Sequence, residues 1–329
     1  MKEYNFRNCP CRIYGIPNFD RTSVFRRLND NLLKLFPHLE EADKRPTGAR
    51  IRFRTDSEHF SIRVKLDRVY PDRGMSYYQA NVGNVFLGKG SSSKYIGIVS
   101  APDSYNDNFI YAEFTKKKDT NDVTVFLPRN PRVIDIFIGV DDEAQILSPT
   151  PYTYETPVVF YGSSITENGH TSSSNAYTAL LSRWLDSDFL NFGFSGMAKG
   201  EPEIAEYISG FRMSAFVFDY DHNAPDWIHL NNTHENFFLR FREKQPDTPV
   251  IMLTRPNDDC EDAFKRRSVI YTTYKNAVNR GDKKVYYIDG RSYFSDIDRE
   301  ACTTDLTHPN DLGHYCMALK IYEILKDII

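Results

Sequence analysis

The sequence predicts an α/β fold: a parallel sheet with helices on both faces in the second half, preceded by an antiparallel β-sandwich or jelly roll. Three observations carry this. Residues 45–140 alternate apolar and polar side chains with a period of two. From Val158 onward, short continuous apolar runs alternate with helical stretches, the pattern of strands buried on both faces. Between these textures, Pro149, Pro151 and Pro157 punctuate a connector. A chain of 329 residues suits two domains, with expected extents of 1–150 and 157–329.

In the first half, segment 21–41 spaces Val24, Leu28, Leu32, Leu33 and Leu35 like a helix, expected to pack beside the sandwich. Ile51 and Phe53 stand between Arg50, Arg52 and Arg54. Phe60, Ile62, Val64 and Leu66 alternate with Ser61, Arg63 and Lys65. Each run therefore has one apolar and one wet face. Shorter strand-like runs follow at 95–99, 109–111, 123–127 and 133–140. Turn-like stretches at 72–74, 88–93, 103–108 and 116–121 separate them. In the second half, strands are expected at 158–161, 189–192, 215–218, 250–253 and 285–288. Helices are expected at 175–186, 201–209, 233–244, 261–279 and 311–326.

Composition narrows the function. Lys and Arg total 41 against 45 Asp and Glu, a net charge of −4, without the basic excess of a nucleic-acid binder. Mean hydropathy is −0.52, and no run approaches the roughly 18 apolar residues of a membrane span. The N-terminus has no apolar h-region or cleavage site. Five scattered cysteines, Cys9, Cys11, Cys260, Cys302 and Cys316, do not form a disulfide framework. The expectation is a cytoplasmic protein with reduced thiols. Cys9 and Cys11 lack a second Cys or His pair, so neither a metal nor a cofactor is expected.

In such a sheet, ligands bind beyond the carboxyl ends of the strands. Four segments lie there. Gly162-Ser163-Ser164-Ile165 follows the first strand, and a serine on a tight strand-to-helix turn is exposed for attack. Asn191-Phe192-Gly193-Phe194-Ser195-Gly196 follows the second; glycine lets backbone N–H groups approach a ligand. Asp219-Tyr220-Asp221-His222-Asn223-Ala224-Pro225 follows the third. There Asn223 offers an uncharged amide donor and His222 is a rival general base, against a plain Asx turn. Asp305-Leu306-Thr307-His308-Pro309-Asn310 precedes the last helix, where an aspartate can orient a histidine that takes a hydroxyl proton. Each segment also reads as a cap or turn; the ordered set of four is the demanding coincidence.

These blocks resemble those of the SGNH/GDSL hydrolase superfamily, and most closely its bacterial two-domain branch with an N-terminal β-sandwich, an architecture similar to carbohydrate esterase family 2. The matching stretches are Gly162-Ser163-Ser164-Ile165-Thr166, Asn191 to Gly196, Asp219 to Ala224 and Asp305 to Asn310. The resemblance implies a flavodoxin-like sheet and a serine esterase. Ser164 would be the nucleophile, His308 the general base and Asp305 its orienting partner. The Ser164 and Gly196 N–H groups and the Asn223 amide would form the oxyanion hole. The implied substrate is a small acyl ester, acetyl foremost, on a carbohydrate or oligosaccharide, with neither nucleic acid nor membrane as partner. A lipase or thioesterase, or a catalytically inactive carbohydrate-binding protein, is the alternative. Trp227, Arg255 and His222 are expected to contact substrate, while His229 and His234 read as structural or pocket-lining. The branch's usual Gln-Gly after the first block is here Glu167-Asn168-Gly169-His170, and Met197-Ala198 replaces an Asn-Gly-like pair.

Overall fold

The computed structural model describes residues 1–22, 24–69, 74–101 and 108–329, so all but the last residue of each of the turns expected at 72–74 and 103–108 lies outside the described residues. Among these residues the first half contains β1 (Lys2–Asn5), β2 (Arg12–Tyr14), β3 (Arg50–Thr55), β4 (His59–Leu66), β5 (Gly83–Leu87), β6 (Lys94–Val99), β7 (Phe109–Thr115), β8 (Asn121–Phe126), β9 (Val133–Val140) and β10 (Ile146–Leu147). They form two antiparallel sheets, β1-β9-β4-β7 and β10-β3-β8-β5-β6, with β2 also on β3. The period-two pattern is realised in the space between them. Phe60, Ile62, Val64 and Leu66 pack there with Ile51, Phe53, Val123, Val125, Ile136 and Ile138.

The expected wet face of β3 is not wet. Arg50 and Arg52 are buried, because the second half of the chain covers that face. Arg50 lays its guanidinium 4.1 Å over the Phe189 ring, donates to the Tyr152 hydroxyl at 3.2 Å and pairs with Asp188. The Arg52 guanidinium sits 4.0 Å over Tyr152. Phe86 and Phe126 of the same sheet join a core with Tyr177, Leu181 and Phe189. Arginine suits this position because its flat cation stacks on rings while its edge donates.

The segment expected as one helix beside the sandwich is instead an arm of short helices, α1 (Phe19–Thr22), α2 (Asp30–Leu35) and α3 (Glu40–Asp43). Asn29 caps α2 by accepting the Leu32 N–H at 2.9 Å, and Pro37 cannot continue it. Phe19 of α1 and Phe25 do join the sandwich core, beside Phe6, but the rest of the arm packs on the parallel sheet: Leu28, Leu32, Leu39 and Ala42 share a core with Val159, Tyr161, Phe192 and Ile204.

The second half contains β11 (Tyr154–Gly162), α4 (Ser164–Glu167), α5 (Tyr177–Leu185), β12 (Ser187–Gly193), α6 (Pro202–Ile208), β13 (Ala215–Asp219), α7 (Trp227–Lys244), β14 (Val250–Leu253), α8 (Ala263–Asn279), β15 (Val285–Ile288) and α9 (Asp311–Ile328). The strands are parallel in the order β12-β11-β13-β14-β15, the flavodoxin-like arrangement. Helices α5 and α9 cover one face, and α6, α7, α8 and the arm cover the other. Pro157 lies inside β11 and not in a linker; the ladder with β12 shifts register between Tyr154 and Val158, which accommodates its missing N–H. Helix α7 starts six residues before the expected 233, because Asp226 caps it by accepting the His229 N–H at 2.7 Å. Strand order reverses between β11 and β13, and Gly162 pairs in register with Asp219 there. Chain leaving β11 is thus delivered to the crevice where this fold binds ligands.

Candidate active site

Ser163 and Ser164 divide two tasks. Ser163 is buried and caps α4, its Oγ accepting the Ile165 N–H at 3.2 Å. Its own N–H donates to the Asp219 carbonyl at 3.1 Å, which ties the turn to β13. Ser164 opens α4 half-buried, and its Oγ lies 2.8 Å from His308 Nε2. His308 Nδ1 lies 2.8 Å from Asp305 Oδ2. The other Asp305 oxygen accepts the backbone N–H groups of Thr307 at 3.2 Å and His308 at 2.7 Å. Leu306 between them has φ +69°, a left-handed conformation costly for a branched side chain and held here by that turn. Burial alone would raise the Asp305 pKa; the backbone and imidazole N–H groups of His308 outweigh it and hold the carboxyl below the usual range.

Two further segments converge. Gly196 has φ +73°, and no atom lies within 4 Å of where its Cβ would be, so the backbone borders open space. Among the described residues, neither the Ser164 nor the Gly196 N–H has a hydrogen-bond partner. The Asn223 amide donates one hydrogen to the Phe194 carbonyl at 2.7 Å, which fixes its orientation and leaves the second hydrogen. The Ser164 turn and the second segment meet backbone to backbone: a Cβ on Gly193 would fall 2.3 Å from the Glu167 nitrogen. Behind the turn, Asp219 accepts hydrogen bonds from Thr166 at 3.0 Å and Tyr177 at 3.1 Å, and burial pushes its pKa up to about 7.

The residues expected to touch substrate fare differently. Arg255 is buried and commits its guanidinium to Asp221, at 3.2 Å, and to Asp259, at 2.6 Å. Trp227 packs against the α6–α8 core with Lys265 Nζ 5.0 Å above its ring. His222 lies 3.8 Å from Asp259, and burial with the nearby Arg255 charge pushes its pKa down to about 4. It is therefore neutral and distinct from the imidazole beside Ser164. His229 holds the Lys199 carbonyl at 2.7 Å, and His234 stacks on Phe218 at 4.4 Å; both serve the framework.

Two residues were not singled out by their sequence context. His170 stacks on His308 with ring centroids 4.4 Å apart, its Nδ1 4.0 Å from Asp305. Glu167, buried three positions after Ser164, accepts the Ser195 N–H at 2.6 Å. Both occupy the stretch where the first block departs from the usual pattern, and that departure was their only sequence signal. Among the described residues, His170, Asp305 and His308 are also the one group able to ligate a metal, their ligand atoms lying within 4.8 Å of one another. No helix is long and apolar enough to cross a membrane, among the described residues.

Comparison with known families gives this arrangement a relationship. Residues 155–326 match the model of the GDSL-like lipase/acylhydrolase family. The chain belongs to this family. Residues 1–146 match the model describing the N-terminus of SGNH-hydrolase-type esterases, so this acylhydrolase is matched in both halves. It is a carboxylic ester hydrolase by that membership. No curated protein matches the chain. Among solved structures it is similar to a candidate GDSL-like lipase from Bacteroides ovatus, at 22% identity and TM-score 0.86, over 99% of this chain and 97% of that one. It is also similar to a salicylyl-acyltransferase from a tetracycline biosynthetic pathway, at 17% identity and TM-score 0.78, over 99% and 97%. A family two carbohydrate esterase from Clostridium thermocellum, in complex with cellohexaose, follows at 15% identity and TM-score 0.62, over 85% and 92%. These likenesses establish that the acylhydrolase shares its two-part fold with those proteins.

Proposed function

We propose that the protein is a serine esterase that removes small acyl groups, acetyl foremost, from carbohydrate or oligosaccharide substrates. The observation that carries the reading is the hydrogen-bonded chain from Ser164 through His308 to Asp305, 2.8 Å at each step. A serine hydroxyl is a poor nucleophile at neutral pH and needs such a base. His308 takes the Ser164 proton through Nε2 as Oγ attacks the acyl carbon. Asp305 keeps the other proton on Nδ1 and favours the imidazolium that forms. The Ser164 and Gly196 N–H groups and the free hydrogen of the Asn223 amide receive the developing oxyanion. His308 then returns its proton to the departing alcohol, and water, activated by the same imidazole, releases the acid.

Support for the carbohydrate side comes from the shared architecture with the family two esterase, whose structure holds cellohexaose. The test compares wild type with Ser164→Ala on p-nitrophenyl acetate. Loss on the order of 10⁶-fold is expected, the scale seen for the nucleophile of another serine hydrolase; equal rates in the purified pair would sink the reading. Acetate release from acetylated xylo- and manno-oligosaccharides tests the substrate class. A strong preference for octanoyl over acetyl esters would favour the lipase or thioesterase alternative.

A further inference from the structure

We propose that Glu167 is a positioning residue for the loop bearing the Gly196 N–H, and that Arg27 and Arg45, from the arm ahead of β3, hold it in place. The inference rests on the esterase reading and assigns a task to residues outside the four blocks. Glu167 and Ser164 lie on the one turn of α4, so the carboxylate moves with the nucleophile. One carboxylate oxygen accepts the Ser195 N–H at 2.6 Å, a short charge-assisted bond. That N–H belongs to the residue immediately before Gly196, so the bond sets where the next peptide N–H points. The other oxygen meets Arg45 at 3.1 Å and Arg27 at 3.7 Å.

Arg27 braces the same loop from a second side. It is fully buried, donates to the Asn191 carbonyl at 3.2 Å and the Gly193 carbonyl at 2.5 Å, and stacks 4.5 Å over the Phe194 ring. Its position is fixed in turn by the Ala42 carbonyl at 2.6 Å and by Asp43, which accepts the Arg27 N–H at 2.7 Å. A buried carboxylate without partners would take up a proton and weaken its hold on Ser195. Burial pushes the Glu167 pKa up, but the Arg45, Arg27 and Arg129 charges reverse this and leave it lowered. The arm thus supplies, through Arg45 and Arg27, the two largest of the positive charges that act on this carboxylate.

The test is p-nitrophenyl acetate hydrolysis by E167A, E167Q, R45M and R45K beside S164A, with folding checked by near-ultraviolet circular dichroism. Misplacing one oxyanion donor should lower kcat of E167A by about 10- to 100-fold, with KM within about threefold. E167Q keeps an oxygen that can accept the Ser195 N–H and should recover part of that loss. A purely structural Glu167 would change stability without this split or rescue. Arg45 is partly exposed and touches no oxyanion donor; R45M should lose several-fold in kcat and R45K should regain it. If E167A does not fold, the R45M and R45K pair decides. A folded E167A with kcat within about twofold of wild type, or an unaffected R45M when E167A does not fold, overturns the positioning role alone, provided S164A is inactive. An active S164A overturns the esterase reading and this inference with it.

Discussion

Asp305 acts on the proposed chemistry only through His308, yet nearly half of its side chain is exposed. Its replacement should therefore disturb rate far more than fold. D305A is expected to lower kcat on the order of 10⁴-fold, as removal of the matching carboxylate does in other serine hydrolases. A loss under about tenfold would mean another group orients His308, and His170, stacked on it, is the neighbour to test next. N223A should cost about 10²- to 10³-fold in kcat with little change in KM; an unchanged kcat would remove the amide from the oxyanion hole. At this scale the blocks were legible, because Ser164, Gly196, Asn223 and the Asp305–His308 pair lie in short local patterns. Arg27 was not. Its carbonyl partners, Asn191 and Gly193, lie more than 160 residues away, and nothing local distinguishes it from a surface arginine.

Helix α9 links local structure to the site, because its cap lies two residues after His308. Asn310 accepts the N–H groups of Leu312 at 3.0 Å and Gly313 at 3.1 Å, and donates to the Ala301 carbonyl at 2.8 Å. N310A should cost about 1 kcal/mol of stability, measured as a lower urea midpoint; an unchanged midpoint would mean water replaces the cap. The parallel strands were readable to within a few residues because burial on both faces leaves continuous apolar runs. Strands β1, β2, β5 and β10 were missed. β1, β2 and β10 are edge segments of two to four residues with mixed exposure. β5 packs apolar Val85 and Phe86 side by side into different cores, which breaks the alternation. The arm failed for a different reason: its apolar spacing runs across breaks between short helices, leaving Val24 and Leu35 exposed, and spacing cannot say that Leu28 and Leu32 will cover the parallel sheet while Phe25 joins the sandwich.

Across the whole molecule, burial drives the pKa of His234 and His314 down to about 3. An unfolded imidazole titrates near pH 6.5, roughly. Below that pH the unfolded chain binds protons that the folded chain refuses. Stability is therefore full above about pH 6.5 and falls toward acid, by about 1.4 kcal/mol per pH unit for each imidazole until its folded pKa is reached. Asp219 runs the other way. Its pKa near 7 keeps a proton that an unfolded aspartate releases above about pH 4, so it offsets one histidine in that window. Urea melts at pH 7.5 and pH 5 should show the lower midpoint at pH 5; equal midpoints would show that these rings are hydrated in the folded state.

The arm carries one more consequence, for biosynthesis. Leu28, Leu32, Leu39 and Ala42 leave the ribosome ahead of their core partners, which extend to Val250, Met252 and Val285. At ordinary elongation rates the arm must wait on the order of tens of seconds for the surface it covers. During that interval the nascent chain exposes its leucines, because the arm is made before the sheet it covers.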